Sequence, residues 1–226
     1  MTNETNHFGP WQPWQPEEVA RFFSTLTVPW WIAGGWALDL FLGGQTREHE
    51  DIDVLFLRRD QHEIRAQLQG WDVQEAHREL VPGSWPFQEW KQDAPLSASV
   101  HDIWCRPHER DPWALHLMVI DTSGDQWIFR RTAQIRGSLS TLGRVTRHGI
   151  PYLAPEIQLL YKARGLRPKD EADFARTLPA LDGKSRQWLA QSLALVHPGH
   201  AWLAKLTQIS SVSLHQECVR TITFPI

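Results

Sequence analysis

The chain has little cysteine: Cys105 and Cys218 are the only two thiols in 226 residues. They lack metal-ligand spacing and are too few for a disulfide framework, which excludes zinc-finger and cystine-stapled classes. Basic charge is not in excess, since 23 Lys and Arg stand against 26 Asp and Glu, for a net charge of −3. That argues against a general nucleic-acid binder, though a local basic patch stays open. No window approaches the roughly 18 consecutive apolar residues of a membrane span. The opening stretch "MTNETNHFGPWQPWQPEE" carries no apolar core of a signal peptide, so the expected location is the cytoplasm. The G-x-x-x-x-G-K-[ST] and G-x-G-x-x-G patterns are both missing, which removes the P-loop and dinucleotide fingerprints. Tyrosine is scarce, at two, while tryptophan reaches 13. Those rings are either core filling or a stacking wall for a flat ligand.

What is present is an alternating pattern. Pro16, Glu17 and Glu18 read as the first turn of a helix through "EEVARFFSTL". "WWIA" is a short strand, "WALDLFLG" a helix between two glycine pairs, and "DIDVLFL" a strand. A helix, "RDQHEIRAQLQG", and a strand, "WDVQEAH", follow, and "LVPGSWPFQEWKQDAPLS" reads as a long loop. "SVHDIWCR" is a strand, and "WALHLMVID" and "QWIFRR" form a hairpin about a "TSGD" turn. After Pro155 the pattern is helical to about Leu206. The expectation is an α/β (α+β) fold. Its parts are a mixed β-sheet flanked by helices over 1–150, a helical domain over 151–206, and a tail over 207–226 without an assigned role.

Chemistry concentrates between residues 30 and 57. On a strand, Asp51 and Asp53 point the same way with Cα atoms roughly 6.6 Å apart. Two ionised carboxylates held so need water or a cation between them. Mg²⁺ takes one or two carboxylates together with substrate phosphates, and a pair of such ions is the clamp of in-line phosphoryl chemistry. Gly34 and Gly35 lie at a strand-to-helix junction upstream, where backbone can approach phosphates and free helix N–H groups can bind them. Arg47 and His49 immediately precede the carboxylates, and Arg suits triphosphate oxygens. Lys162 and Lys169, in the helical block, read either as a salt-bridged helix surface or as a lysine reaching the triphosphate.

The segment "IAGGWALDLFLGGQTREHEDIDV" resembles the signature of the polymerase-beta-like nucleotidyltransferase superfamily. Within it, the segment is similar to small bacterial enzymes that adenylylate aminoglycosides and lincosamides. The shared positions are Gly34, Gly35, Trp36, Asp39, Arg47, His49, Asp51, Ile52 and Asp53. The resemblance continues in "WCRP", "WIFRR" and "YLAPEIQLLYKARGLRPKDEADF". It implies a mixed sheet followed by a helical domain. It also implies transfer of a nucleoside monophosphate, AMP by preference, from ATP or another NTP to a hydroxyl of a small acceptor. Mg²⁺ would be held by Asp51 and Asp53, and the phosphates cradled by Gly34 and Gly35. The acids Glu48, Glu50, Glu79, Glu89 and Asp93 could attract a cationic acceptor. Two alternatives stay open: a toxin-like transferase acting on tRNA or protein, and a non-catalytic nucleotide-binding module. The family's third carboxylate, on a neighbouring strand, is expected at a position where this chain has His116. The proton acceptor is then either His116 or, with a strand bulge, Asp121.

Overall fold

The computed structural model describes residues 9–76, 87–165 and 167–207. The first helix, α1 (Pro16–Phe22), begins as its sequence dictates, with Pro at the first position. The Gln15 backbone N–H donates to Glu18 Oε2 at 2.8 Å, part of a capping box. β1 (Trp30–Ile32) feeds α2 (Gly34–Leu42), and β2 (Asp53–Leu57) is followed by α3 (Gln61–Gln67). Five strands continue the chain: β3 (Asp72–Ala76), β4 (Phe87–Glu89), β5 (Asp102–Arg106), β6 (Leu115–Ser123) and β7 (Gln126–Ile128). β8 (Arg136–Ser138), β9 (Gly143–Val145) and β10 (Pro151–Leu153) close the sheet. Three helices follow: α4 (Pro155–Lys162), α5 (Pro168–Thr177) and α6 (Gly183–Val196).

The ten strands form one mixed sheet in the order β4-β3-β5-β6-β2-β1-β10-β9, with β7 pairing β6 and β8. β2 runs parallel to β6 and β1 parallel to β10, and the remaining pairs are antiparallel. Alternation on β5 and β6 separates the two faces. Ile103, Cys105, Leu115, Leu117 and Val119 are buried, whereas Asp102, Trp104, His116 and Met118 on the other face are half-buried. The expected mixed sheet with flanking helices is present.

Three local expectations change. Phe87–Glu89, read as loop, pairs with β3 as an edge strand, a segment short enough to carry no periodic signal. Asp51 lies ahead of the strand, which starts at Asp53. Pro151–Leu153, read as the start of the helical part, is β10 beside β1, and the chain divides into units Met1–Ala154 and Pro155–Ile226. Most of the tail, 208–226, and Glu79 lie outside the described residues. Trp90, Trp113 and Trp127 in the first unit and Trp202 in the second are fully buried, so these rings fill core.

In the second unit, Phe174 stacks on Trp202 with centroids 4.1 Å apart. Lys162 is buried there, with Nζ 3.1 Å from Asp170 and 3.0 Å from Asp173. Its charge is committed to two carboxylates of its own unit, which corrects the reading of Lys162 as an ammonium offered to phosphates. Lys169 is half-buried in the first turn of α5.

Candidate active site

The site is built where β1 ends and β2 and β6 begin. The Ala33 N–H donates to Asp53 O at 2.8 Å, so the residue that caps α2 is tied to the first residue of β2. Gly34 then turns the chain into the helix at φ +67°, and a Cβ there would collide with the Asp53 carboxylate. A Cβ on Gly35 would collide with the Arg47 guanidinium and the His49 ring. Both glycines are thus required by close approach, and Gly34 also by its left-handed backbone. Gly34→Ala is expected to melt several degrees below wild type and to lose nucleotide binding, because the methyl group displaces the carboxylate; calorimetry with ATP and Mg²⁺ checks it.

The loop between α2 and β2 is anchored by Asp39, which is 3 % exposed. Its carboxylate accepts from Thr46 N at 3.0 Å, from Thr46 Oγ1 at 2.6 Å and from His49 Nε2 at 2.6 Å. The His49 ring packs on Trp36 with centroids 4.4 Å apart. Its side chain is only 3 % exposed, which corrects the reading of His49 as a nucleotide-binding group. It shapes the loop that presents Arg47 and Asp51. Arg47 is half-buried with Nη1 donating to Glu48 O at 2.9 Å, and Asp51 is exposed.

Asp53 sits opposite His116 across the β2–β6 pair. His116 Nδ1 lies 2.6 Å from Asp53 Oδ1. On the far side of the ring, Nε2 lies 3.3 Å from Asp102 Oδ1, and Asp102 Oδ2 lies 3.5 Å from Arg130 Nη1. A chain of alternating charge therefore crosses three strands: Asp53, His116, Asp102, then Arg130. Burial alone would depress the His116 pKa, but the Asp102 and Asp53 carboxylates outweigh it and raise it to about 10. Burial would likewise raise Asp102, yet the hydrogen bond and charge of His116, with Arg130, hold it below the usual carboxylate value.

The direction of that shift favours the imidazolium, which runs against the reading of His116 as a proton acceptor. Asp121 is corrected as well. It is five residues further along β6 and receives Arg58 Nε at 2.5 Å. Five residues of strand span roughly 16 Å, and no bulge returns it to Asp53. Asp102 went unnoticed in the sequence. A period-two strand "DIWCR" beside "LHLMV" could have flagged it, since Asp102 shares the face of Trp104, which pairs with His116.

Among the described residues no three His, Cys, Asp or Glu side chains converge as a complete metal site. The residues present still fit Mg²⁺. Asp51 and Asp53 are hard oxygen donors, and Asp53 Oδ1 takes His116 while Oδ2 lies against Gly34, where phosphates would approach. Glu48, Glu50, Glu89 and Asp93 are exposed.

Comparison with solved structures places this architecture. The crystal structure of ANT(2")-Ia in complex with adenylyl-2"-tobramycin superposes with a TM-score of 0.52 over 79 % of this chain and 94 % of that one, at 16 % identity. The chain has the nucleotidyltransferase fold. Residues 17–83, which hold the nucleotidyltransferase signature, match the family model described as aminoglycoside-2''-adenylyltransferase. A 2''-aminoglycoside nucleotidyltransferase of Klebsiella pneumoniae is 46 % identical over 42 residues, 19 % of this chain and 24 % of that protein. A lincosamide resistance protein of Staphylococcus haemolyticus is 42 % identical over 38 residues, 17 % of this chain and 24 % of that protein. The matched segments thus span about a quarter of these relatives' length. The resemblance read from the sequence is upheld. No helix among the described residues is long and apolar enough to cross a membrane.

Proposed function

We propose that this protein is a Mg²⁺-dependent nucleotidyltransferase. It moves a nucleoside monophosphate, AMP by preference, from an NTP to a hydroxyl of a small cationic or polyhydroxylated acceptor. An aminoglycoside is the leading acceptor class and a lincosamide the second. The observation that carries the reading is the packing of Gly34 against the Asp53 carboxylate. It puts the positive end of a helix start beside a carboxylate suited to a divalent cation, which is what a triphosphate with its cation requires. The signature shared with the aminoglycoside enzymes supports the acceptor class.

In this reading the acceptor hydroxyl oxygen forms a bond to the α-phosphorus and gives up its proton to water, the bond to the bridging oxygen breaks, and pyrophosphate leaves with the electron pair. Bound Mg²⁺ supplies charge neutralisation of the phosphate oxygens. Asp51 and Asp53 hold the cation. Gly34 and Gly35 admit the phosphates, Arg47 binds the triphosphate, and Asp39 with His49 fixes the loop that carries Arg47.

The test is incubation of a panel of aminoglycosides and lincosamides with ATP or GTP and Mg²⁺, read by mass spectrometry. The expected product is one antibiotic gaining one nucleotide. Pyrophosphate release without such a product, together with labelling of tRNA or protein, would replace the acceptor class. Absence of nucleotide turnover with every acceptor would overturn the reading.

A further inference from the structure

The geometry points to Asp102 as a positioning residue for the metal ligand Asp53, acting through His116. The inference rests on the reading of Asp53 as a metal ligand and adds to it a carboxylate on a third strand. β5 pairs β6 with Trp104 opposite His116, so Asp102, two residues before Trp104, is on the same sheet face as His116. β2 pairs β6 on the other side with Asp53 opposite His116. The imidazole is thereby gripped at both nitrogens: Nδ1 at 2.6 Å from Asp53 and Nε2 at 3.3 Å from Asp102. Nε2 is sealed from solvent and makes no aligned hydrogen bond, and the Asp102 carboxylate is the polar group that faces it. The edge of the Trp104 ring, with its centroid 6.4 Å from that of His116, closes one side of the ring. Arg130 at 3.5 Å holds the outer oxygen of Asp102.

The consequence is mechanical. Asp53 has two oxygens, and only the rotamer that gives Oδ1 to His116 leaves Oδ2 against Gly34. A ring free to turn would release that choice. Partners that orient a metal ligand from behind are typically worth 10- to 100-fold in metal affinity or activity. Asp102 is reached by solvent, with 31 % of its side chain exposed, so removing it opens no core cavity.

Mn²⁺ binding, followed by electron paramagnetic resonance in the presence of a non-hydrolysable ATP analogue, tests this. Asp102→Ala should weaken Mn²⁺–nucleotide affinity by about 10- to 100-fold. Asp102→Glu, which keeps the carboxylate, should recover part of the loss, whereas the neutral Asp102→Asn should not, because the contact at Nε2 is an ion pair. In a His116→Ala background, Asp102→Ala should change nothing further, because its route to Asp53 is gone. Asp102→Ser, too short to reach Nε2, replaces the alanine variant if that variant fails to melt cooperatively. Wild-type affinity in Asp102→Ala, or an independent second loss in the His116→Ala background, would overturn the inference while the nucleotidyltransferase reading stands. Should the wild-type protein bind neither the cation nor the nucleotide, that reading fails and the inference falls with it.

Discussion

Asp53→Asn should lower pyrophosphate release by at least about a hundredfold, since losing a metal ligand costs more than losing the partner behind one. Asn keeps the shape of Asp and an oxygen that accepts from His116 Nδ1, so the strand pairing between β2 and β6 survives. What the variant loses is the anionic oxygen beside Gly34. A neutral amide is a weak ligand for a hard divalent cation, so the triphosphate is left with its charge poorly neutralised. Differential scanning fluorimetry should place the variant within a few degrees of wild type. Pyrophosphate release equal to wild type, at saturating ATP, Mg²⁺ and acceptor, would remove Asp53 from the metal site.

Lys162→Met should be the most destabilising substitution in the helical unit. It deletes a cation that lies 3.1 Å from Asp170 and 3.0 Å from Asp173, both almost fully buried. Asp170 keeps Arg167, whose Nε is 2.7 Å away, whereas the Arg176 guanidinium lies further from Asp173, at 3.8 Å. Removing one partner of a buried ion pair typically costs about 3–5 kcal/mol. For a chain of this length each kcal/mol is about 2–4 °C, so a fall of roughly 6–20 °C is expected.

The pH dependence gives the loss its signature. Burial pushes the Asp170 pKa up, yet Arg167 and Lys162 outweigh it and hold it below the ordinary 3.8. A depressed carboxylate stabilises the fold above its unfolded pKa, and that stability disappears as pH falls through the folded value. The wild type should therefore lose this contribution only below about pH 4. The gap between wild type and Lys162→Met should be widest near neutrality and shrink in acid, where the Asp170 carboxylate becomes neutral. A gap independent of pH between 3 and 7 would mean that the lysine stem, not its charge, holds the helices together.

The sequence exposed the phosphate side of the site more fully than the proton side, for a physical reason. Gly34, Gly35 and Asp53 lie close along the chain, and their spacing reflects one local turn from β1 into α2. Asp39 also lay in that segment, but its role depends on which face of α2 meets the returning loop. His49 was visible as a polar residue beside the carboxylates, and its burial against Trp36 was not, because packing decides that. The misreadings of His116, Asp121 and Lys162 share one cause. Each residue's chemistry is set by partners on other elements. The His116 pKa is raised because Asp102 and Asp53 flank it from β5 and β2. Asp121 is taken by Arg58, 63 positions away, and Lys162 by carboxylates on the next helix. Strand register within "LHLMV" fixed which face His116 occupies, but only the pairing of β5 with β6 brings Asp102 to it.

The pairing that creates the site also sets when it can exist. Asp53 and His116 are separated by 63 positions, and β6 pairs with β2 only after α3, β3, β4 and β5 have been made. A chain emerging during synthesis displays its glycine turn and first carboxylates long before the strand that orients them. Closing so long a loop costs entropy that is recovered only when the strands pair, which makes such contacts slow to form. On refolding from denaturant, nucleotide-dependent signals should therefore lag behind the early return of helical structure. A chain truncated before Leu115 would carry every residue of the glycine–aspartate signature and still lack the strand that orients Asp53.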